Sequence, residues 1–154
     1  MDTIRDFEDL LVLFQRHRVR YLIVGGLAFI YHAKPRYTKD IDLWVDALPD
    51  NILRVNRALR EFGSPFLLAA GKNKEIVQLG VAPNRIDLIR TIEGMEFDKA
   101  WKKRKRSFYG KAAANWIDLD SLIDVKKRIN NPRHQEDARI LMEVRKRKRA
   151  IKSL

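Results

Sequence analysis

The apolar positions alternate between helical and strand spacing along the chain. Over 7–16, Phe7, Leu10, Leu11, Leu13 and Phe14 share one stripe, which predicts an amphipathic helix ending near the basic pair His17-Arg18. Tyr21-Leu22-Ile23-Val24 is instead a short unbroken apolar run closed by Gly25-Gly26, the pattern of a buried strand ending in a tight turn. Leu27, Ala28, Ile30 and Tyr31 return to helical spacing over 26–33 and Pro35 stops them, so a helix of about two turns follows. Asp40-Ile41-Asp42-Leu43-Trp44-Val45 alternates charged with apolar and then becomes wholly apolar, predicting a strand over 40–45 with one face wet at its start. Pro49 opens a helix reaching about Phe62, with Ile52, Val55, Leu59 and Phe62 turned inward.

Two β-rich runs, 75–81 and 85–92, flank Ala82-Pro83-Asn84, a turn signal that predicts an antiparallel hairpin. A short helix over 97–101, two weaker strands about Gly110 and two helices from Asp118 onward, broken near Asn131-Pro132, complete the pattern. Strands interleaved with helices predict an α/β (α+β) domain with a mixed sheet. At 154 residues the chain has room for one domain, with a core over about 20–92 and C-terminal helices over about 119–150.

Composition sharpens this picture. With 45% hydrophobic residues the chain can bury a real core, and with no cysteine it forms neither disulfides nor thiolate metal sites. No apolar run is long enough to span a bilayer, and the acidic start Met1-Asp2-Thr3-Ile4-Arg5-Asp6 lacks a signal peptide's basic region, so the expectation is a cytoplasmic protein without membrane contact. The net charge of +12 is unevenly spread. Lys102-Lys103-Arg104-Lys105-Arg106 and Arg145-Lys146-Arg147-Lys148-Arg149 carry almost all of the excess, which points to a polyanionic partner near one or both runs. Trp101 before the first run and Phe108-Tyr109 after it interleave aromatics with charge, so Trp101, Lys102, Lys103, Arg104, Lys105 and Arg106 are candidate nucleic-acid contacts. The second run, near the chain end, reads more simply as a solvated helix or a fraying tail.

The chemistry concentrates between Val24 and Val45. Residues two apart in a strand point to the same face about 6.6–6.8 Å apart, so Asp40 and Asp42 converge on one site. Their mutual repulsion calls for a cation, and hard ions such as Mg²⁺ favour one or two carboxylates together with substrate phosphates. Gly25-Gly26 at a strand-to-helix turn offers backbone N–H groups to an anion.

Apolar strand, Gly-Gly, short helix and Asp-x-Asp entering a second apolar strand together resemble the signature of the polymerase-beta-like nucleotidyltransferase superfamily. Val24-Gly25-Gly26-Leu27-Ala28 with His32, Pro35-Arg36, Thr38 and Asp40-Ile41-Asp42 is similar to its small prokaryotic branch, which includes AbiEii-type toxins. The resemblance implies the nucleotidyltransferase fold and a third carboxylate on a later strand, matched by Asp87 in Arg85-Ile86-Asp87-Leu88-Ile89. It implies transfer of a nucleoside monophosphate from an NTP such as ATP to an acceptor hydroxyl on RNA, tRNA or protein. Asp40, Asp42 and Asp87 would hold two Mg²⁺ ions, which Mn²⁺ could replace, and Asp87 would help deprotonate the acceptor. Gly25 and Gly26 would cradle the phosphates, with Arg36, Thr38 and Lys126 as further phosphate contacts. Relatives in toxin–antitoxin pairs imply an operon partner protein, and the chain lacks the large second domain with which better-studied members read a tRNA or an antibiotic.

Each of these residues also has a structural reading. Asp87 could be a strand-end acid paired with Arg85 or Arg90, Arg36 could pair with a nearby carboxylate, and His32 could be a helix-packing residue. Lys126 could face solvent. The whole chain could be an RNA- or partner-binding module of this fold without turnover, or could hold a structural ion.

Overall fold

The computed structural model describes residues 3–38, 40–69, 76–80 and 85–154, with only the backbone for 3–5. The helix α1 (Thr3–Arg16) begins one turn earlier than its apolar stripe, and Phe7, Leu10, Leu11 and Phe14 on that stripe are fully buried. Burying each such side chain is worth roughly 1.5–3 kcal/mol, so this one helix is a major part of the core. β1 (Tyr21–Val24) is buried at all four positions, as a strand covered on both faces must be. It passes directly into α2 (Gly25–His32), which starts at the first glycine of the pair.

β2 (Asp40–Val45) and α3 (Pro49–Phe62) follow as the spacing predicts, with Gly63 ending α3 in the left-handed conformation. β3 (Val77–Leu79) and β4 (Arg85–Ile89) are shorter than their β-rich runs and pair antiparallel. The predicted turn at Ala82-Pro83-Asn84 lies outside the described residues. α4 (Phe97–Lys102), the hairpin β5 (Lys105–Tyr109) and β6 (Ala112–Trp116), α5 (Leu119–Arg128) and α6 (Pro132–Lys152) complete the chain. α6 contains the whole second basic run, which is therefore helical rather than a frayed tail.

The six strands form one mixed sheet in the order β3-β4-β2-β1-β6-β5. β2 runs antiparallel to β1 and parallel to β4, with Asp42 opposite Asp87 and Asp40 opposite Arg85. Strand alternation divides the core into two layers. Tyr21, Ile23, Leu43, Val45, Ile86 and Leu88 face α1 and α3. Leu22, Val24, Trp44 and Ile117 face the other way, with Ala28 and Phe29 of α2, Leu122 of α5 and Leu141 of α6. Asp40, Asp42 and Asp87 belong by the same alternation to the second face, at the end of the sheet where β1 hands over to α2. Among the described residues no helix is long and apolar enough to cross a membrane.

Candidate active site

The site is built where β1 ends. Gly25 takes φ +67°, a conformation other residues resist, and a Cβ there would lie 2.2 Å from Asp42 Oδ2. A Cβ on Gly26 would lie 2.4 Å from Thr38 Oγ1. The two glycines thus let the Asp42 carboxylate and the Thr38 hydroxyl close against the start of α2. That helix has no side-chain cap, since its N-cap is Val24, so the N–H groups of its first turn keep their capacity for an anion.

A cavity of about 340 Å³ opens over this point, lined by Gly25, Gly26, Thr38, Asp40 and Asp42 on one side and Arg36, Lys126, Arg133, His134 and Asp137 on the other. The fold therefore gathers most of the sequence-predicted set into one cavity. Asp87 is not part of its lining but stands beside Asp42 as its register partner on β4.

The charges are locked into two groups. In the first, Arg85 reaches across the carboxylates: its Nε donates to Asp87 Oδ1 at 2.9 Å, and its Nη2 donates to Asp87 Oδ2 at 3.2 Å and to Asp40 Oδ2 at 3.1 Å. Asp87 thus has the arginine partner that its structural reading foresaw. The Asp42 carboxylate has no hydrogen bond among the described residues, and its burial, with Asp87 and Asp40 adding repulsion, pushes it up to about 6. In the second group, Asp137 on α6 accepts a bidentate pair from Arg36, at 2.6 and 2.9 Å, and an ion pair from Lys126 at 3.0 Å. Lys126 and Asp137 are each only 3% exposed, so this is a buried pair, not a solvated helix face. Burial pulls the Lys126 ammonium below its usual range, against the opposing pull of Asp137, and Lys126 also donates to His134 Nδ1 at 3.3 Å. Arg36 stacks over Phe29 with its guanidinium 4.0 Å from the ring centre.

Asp137, His134 and Arg133 were not among the sequence candidates. One signal for Asp137 was available: it falls with Ala138 and Leu141 on the inward stripe of α6, where a carboxylate needs a buried partner. His32 is a packing residue, its Nε2 donating to the Ile117 carbonyl at 2.6 Å. Trp101 lies apart from the cavity, stacked on Phe97 and covered by Arg104 at 3.7 Å, and so already has ring partners within the protein.

The donors fit a hard divalent cation in type, since three carboxylates share one sheet face and the Asp42 carboxylate is raised by burial and by the repulsion of Asp87 and Asp40. Among the described residues, however, no three such groups are drawn together closely enough to form a metal cluster, and Arg85 engages Asp40 and Asp87. Cation binding would require the guanidinium to turn away.

In sequence the chain matches no known family model and no curated protein. In structure it is similar to the crystal structure of the lincosamide antibiotic adenylyltransferase LnuA with lincomycin bound, with a TM-score of 0.57 and 15% sequence identity over 91% of this chain and 96% of that one. At that identity the likeness is one of fold: a mixed α/β sheet of six strands, shared with a nucleotidyltransferase. The match covers nearly all of that neighbour.

Proposed function

We propose that the chain transfers a nucleoside monophosphate from an NTP to an acceptor hydroxyl. The observation that carries this reading is the uncapped start of α2 with the Asp42 carboxylate pressed against Gly25, at the mouth of a cavity that also holds Lys126 and Arg133. N–H groups and carboxylates on one side with cations on the other suit a triphosphate and its counter-ion. The acceptor oxygen would attack the α-phosphorus, the bond to the bridging oxygen would break, and pyrophosphate would leave as the acceptor loses its proton. Gly25 and Gly26 would hold the departing phosphates through backbone N–H groups, with Thr38 and Arg133 beside them. Lys126 and Arg36, both bound to Asp137, would supply a fixed positive field rather than mobile contacts. Asp40, Asp42 and Asp87 would hold Mg²⁺, which when bound neutralises developing charge on the phosphates. Once released by Arg85, Asp87 would take the acceptor's proton. A role within a toxin–antitoxin pair is the finer form of this proposal, supported by the motif resemblance over 24–45.

Ligand-dependent stabilisation tests it. Any ligand that binds only the folded chain raises the melting temperature by mass action. ATP, GTP, CTP or UTP with Mg²⁺ is expected to raise it well beyond Mg²⁺ alone, and Asp42→Asn to lose most of that gain. A gain from Mg²⁺ alone, with none added by any NTP, would mean a structural ion instead.

A further inference from the structure

The two basic runs are separated by about forty residues in the chain, yet the fold makes them two walls of one cleft. The turn from α4 into β5 brings Lys103 and Lys105 to one side, and the last turns of α6 bring Lys148, Arg149 and Lys152 to the other. The space between them is about 660 Å³. None of these five cations has an ion-pair partner among the described residues, in contrast to Arg145, which is tied to Asp120 at 3.0 Å. His32 also lines the cleft, its imidazole held below its usual value first by burial, against the hydrogen bond to the Ile117 carbonyl, with smaller contributions from Lys148 and Lys105 of the two walls and an opposing pull from Asp118. Both runs thus act on one point.

We infer that this cleft binds the phosphodiester backbone of a single nucleic-acid strand. Three physical features select that occupant. Among the described residues that line the cleft, Leu119 is the one apolar side chain, so it lacks the anchors a protein partner or a membrane surface would need. Its cations lie on two facing walls, which suits a charged strand passing between them. Five unpaired cations at close spacing match the regular charge of such a backbone. The inference rests in part on the proposed transfer, because α5 and α6 join the cleft to the cavity described above: Lys126 and Asp137 belong to the cavity, and Lys148 lies roughly 16 Å further along α6 at about 1.5 Å per residue. A strand of a few nucleotides held in the cleft could present its end to the cavity.

The test is fluorescence anisotropy of a labelled single-stranded RNA, with a DNA strand of the same sequence as a second arm, across a series of salt concentrations. Each phosphate neutralised contributes about −0.7 to the slope of log affinity against log salt for single strands, so five contacts predict a slope near −3.5. Lys103→Ala/Lys105→Ala and Lys148→Ala/Arg149→Ala are each expected to bring it to about −2 and to weaken binding at least tenfold. Arg57→Ala/Arg60→Ala on α3, across the sheet, is expected to change neither. Equal affinity for RNA and DNA would mark the backbone as what is read, and tighter RNA binding would add a ribose contact. No binding of either strand, an unchanged affinity in either cleft variant, or an equal loss in the α3 variant would overturn the inference. Nucleotidyl transfer by the wild-type chain separates the two claims: a wild-type chain that binds the strand but transfers no nucleotide would count against the proposed reaction and leave the cleft standing.

Discussion

The two ends of the α5–α6 hairpin handle charge in opposite ways. At the cavity, every cation of the Arg36–Asp137–Lys126 group is tied to a carboxylate, and Arg85 is tied to two more. At the cleft, five cations have no ion-pair partner among the described residues, although Asp118 and Asp120 also line it. Paired and buried charges fix positions, which a reaction at one phosphorus atom requires. Unpaired and solvated charges give attraction without register, which suits holding a polyanion. The difference teaches that the net charge of +12 describes the cleft and says little about the chemistry.

The sharpest way to break this contrast is to remove the carboxylate at the centre of the paired group. Asp137→Ala would leave Lys126 buried without its partner, and such a loss costs about 3–5 kcal/mol. Lys148→Ala at the cleft should stay within about 0.5 kcal/mol of wild type. Urea unfolding of both variants measures the two directly, and similar values would show that the cavity charges are not interlocked as described.

A smaller effect comes from Asp42. Its carboxyl is raised in the folded chain to about 6, so the folded state holds this proton more tightly than the unfolded one. The folded chain therefore carries no penalty below about pH 4, loses stability as pH rises from 4 to 6, and carries the full penalty above that. Asp42→Asn removes the ionisable group and is expected to be more stable than wild type by roughly 1–3 kcal/mol at pH 7.5, allowing for partial solvent screening, with the gap closing by pH 4. Thermal unfolding at the two pH values, without divalent ions, measures it. A gap independent of pH would remove Asp42 as the strained group.

The smallest effect concerns Arg85. Arg85→Ala should lower the melting temperature in metal-free buffer, because three carboxylates then share one face without a cation, and Mg²⁺ should restore more of it in the variant than in wild type. Identical responses to Mg²⁺ would mean that guanidinium and ion do not compete for the same oxygens.

Much of the fold was legible because local signals agreed with the final packing. Tyr21-Leu22-Ile23-Val24 reads as a buried strand because β1 lies between two helical layers, and Pro49 marks the start of α3 because its ring suits a first turn. The parallel pairing of β2 with β4 was not legible, since no local pattern encodes which strand lies beside which. The same limit governs the site. Gly25, Gly26, Asp40 and Asp42 lie within one strand–helix–strand unit and could be read together. Asp137 and Lys126 meet only through the packing of α5 on α6, and the two basic runs meet only because α6 extends far enough to face the α4–β5 turn.

The most direct measurement is transfer of label from each of four α-³²P NTPs, with Mg²⁺, to bulk tRNA and to protein, with Asp42→Asn in parallel. The expected result is label on one acceptor class from wild type and at least a thousandfold less from the variant. Equal labelling by both proteins, or no labelling of any acceptor by a wild-type chain that binds NTP, would contradict the assignment of the Gly25–Asp42 cavity as the centre of the reaction.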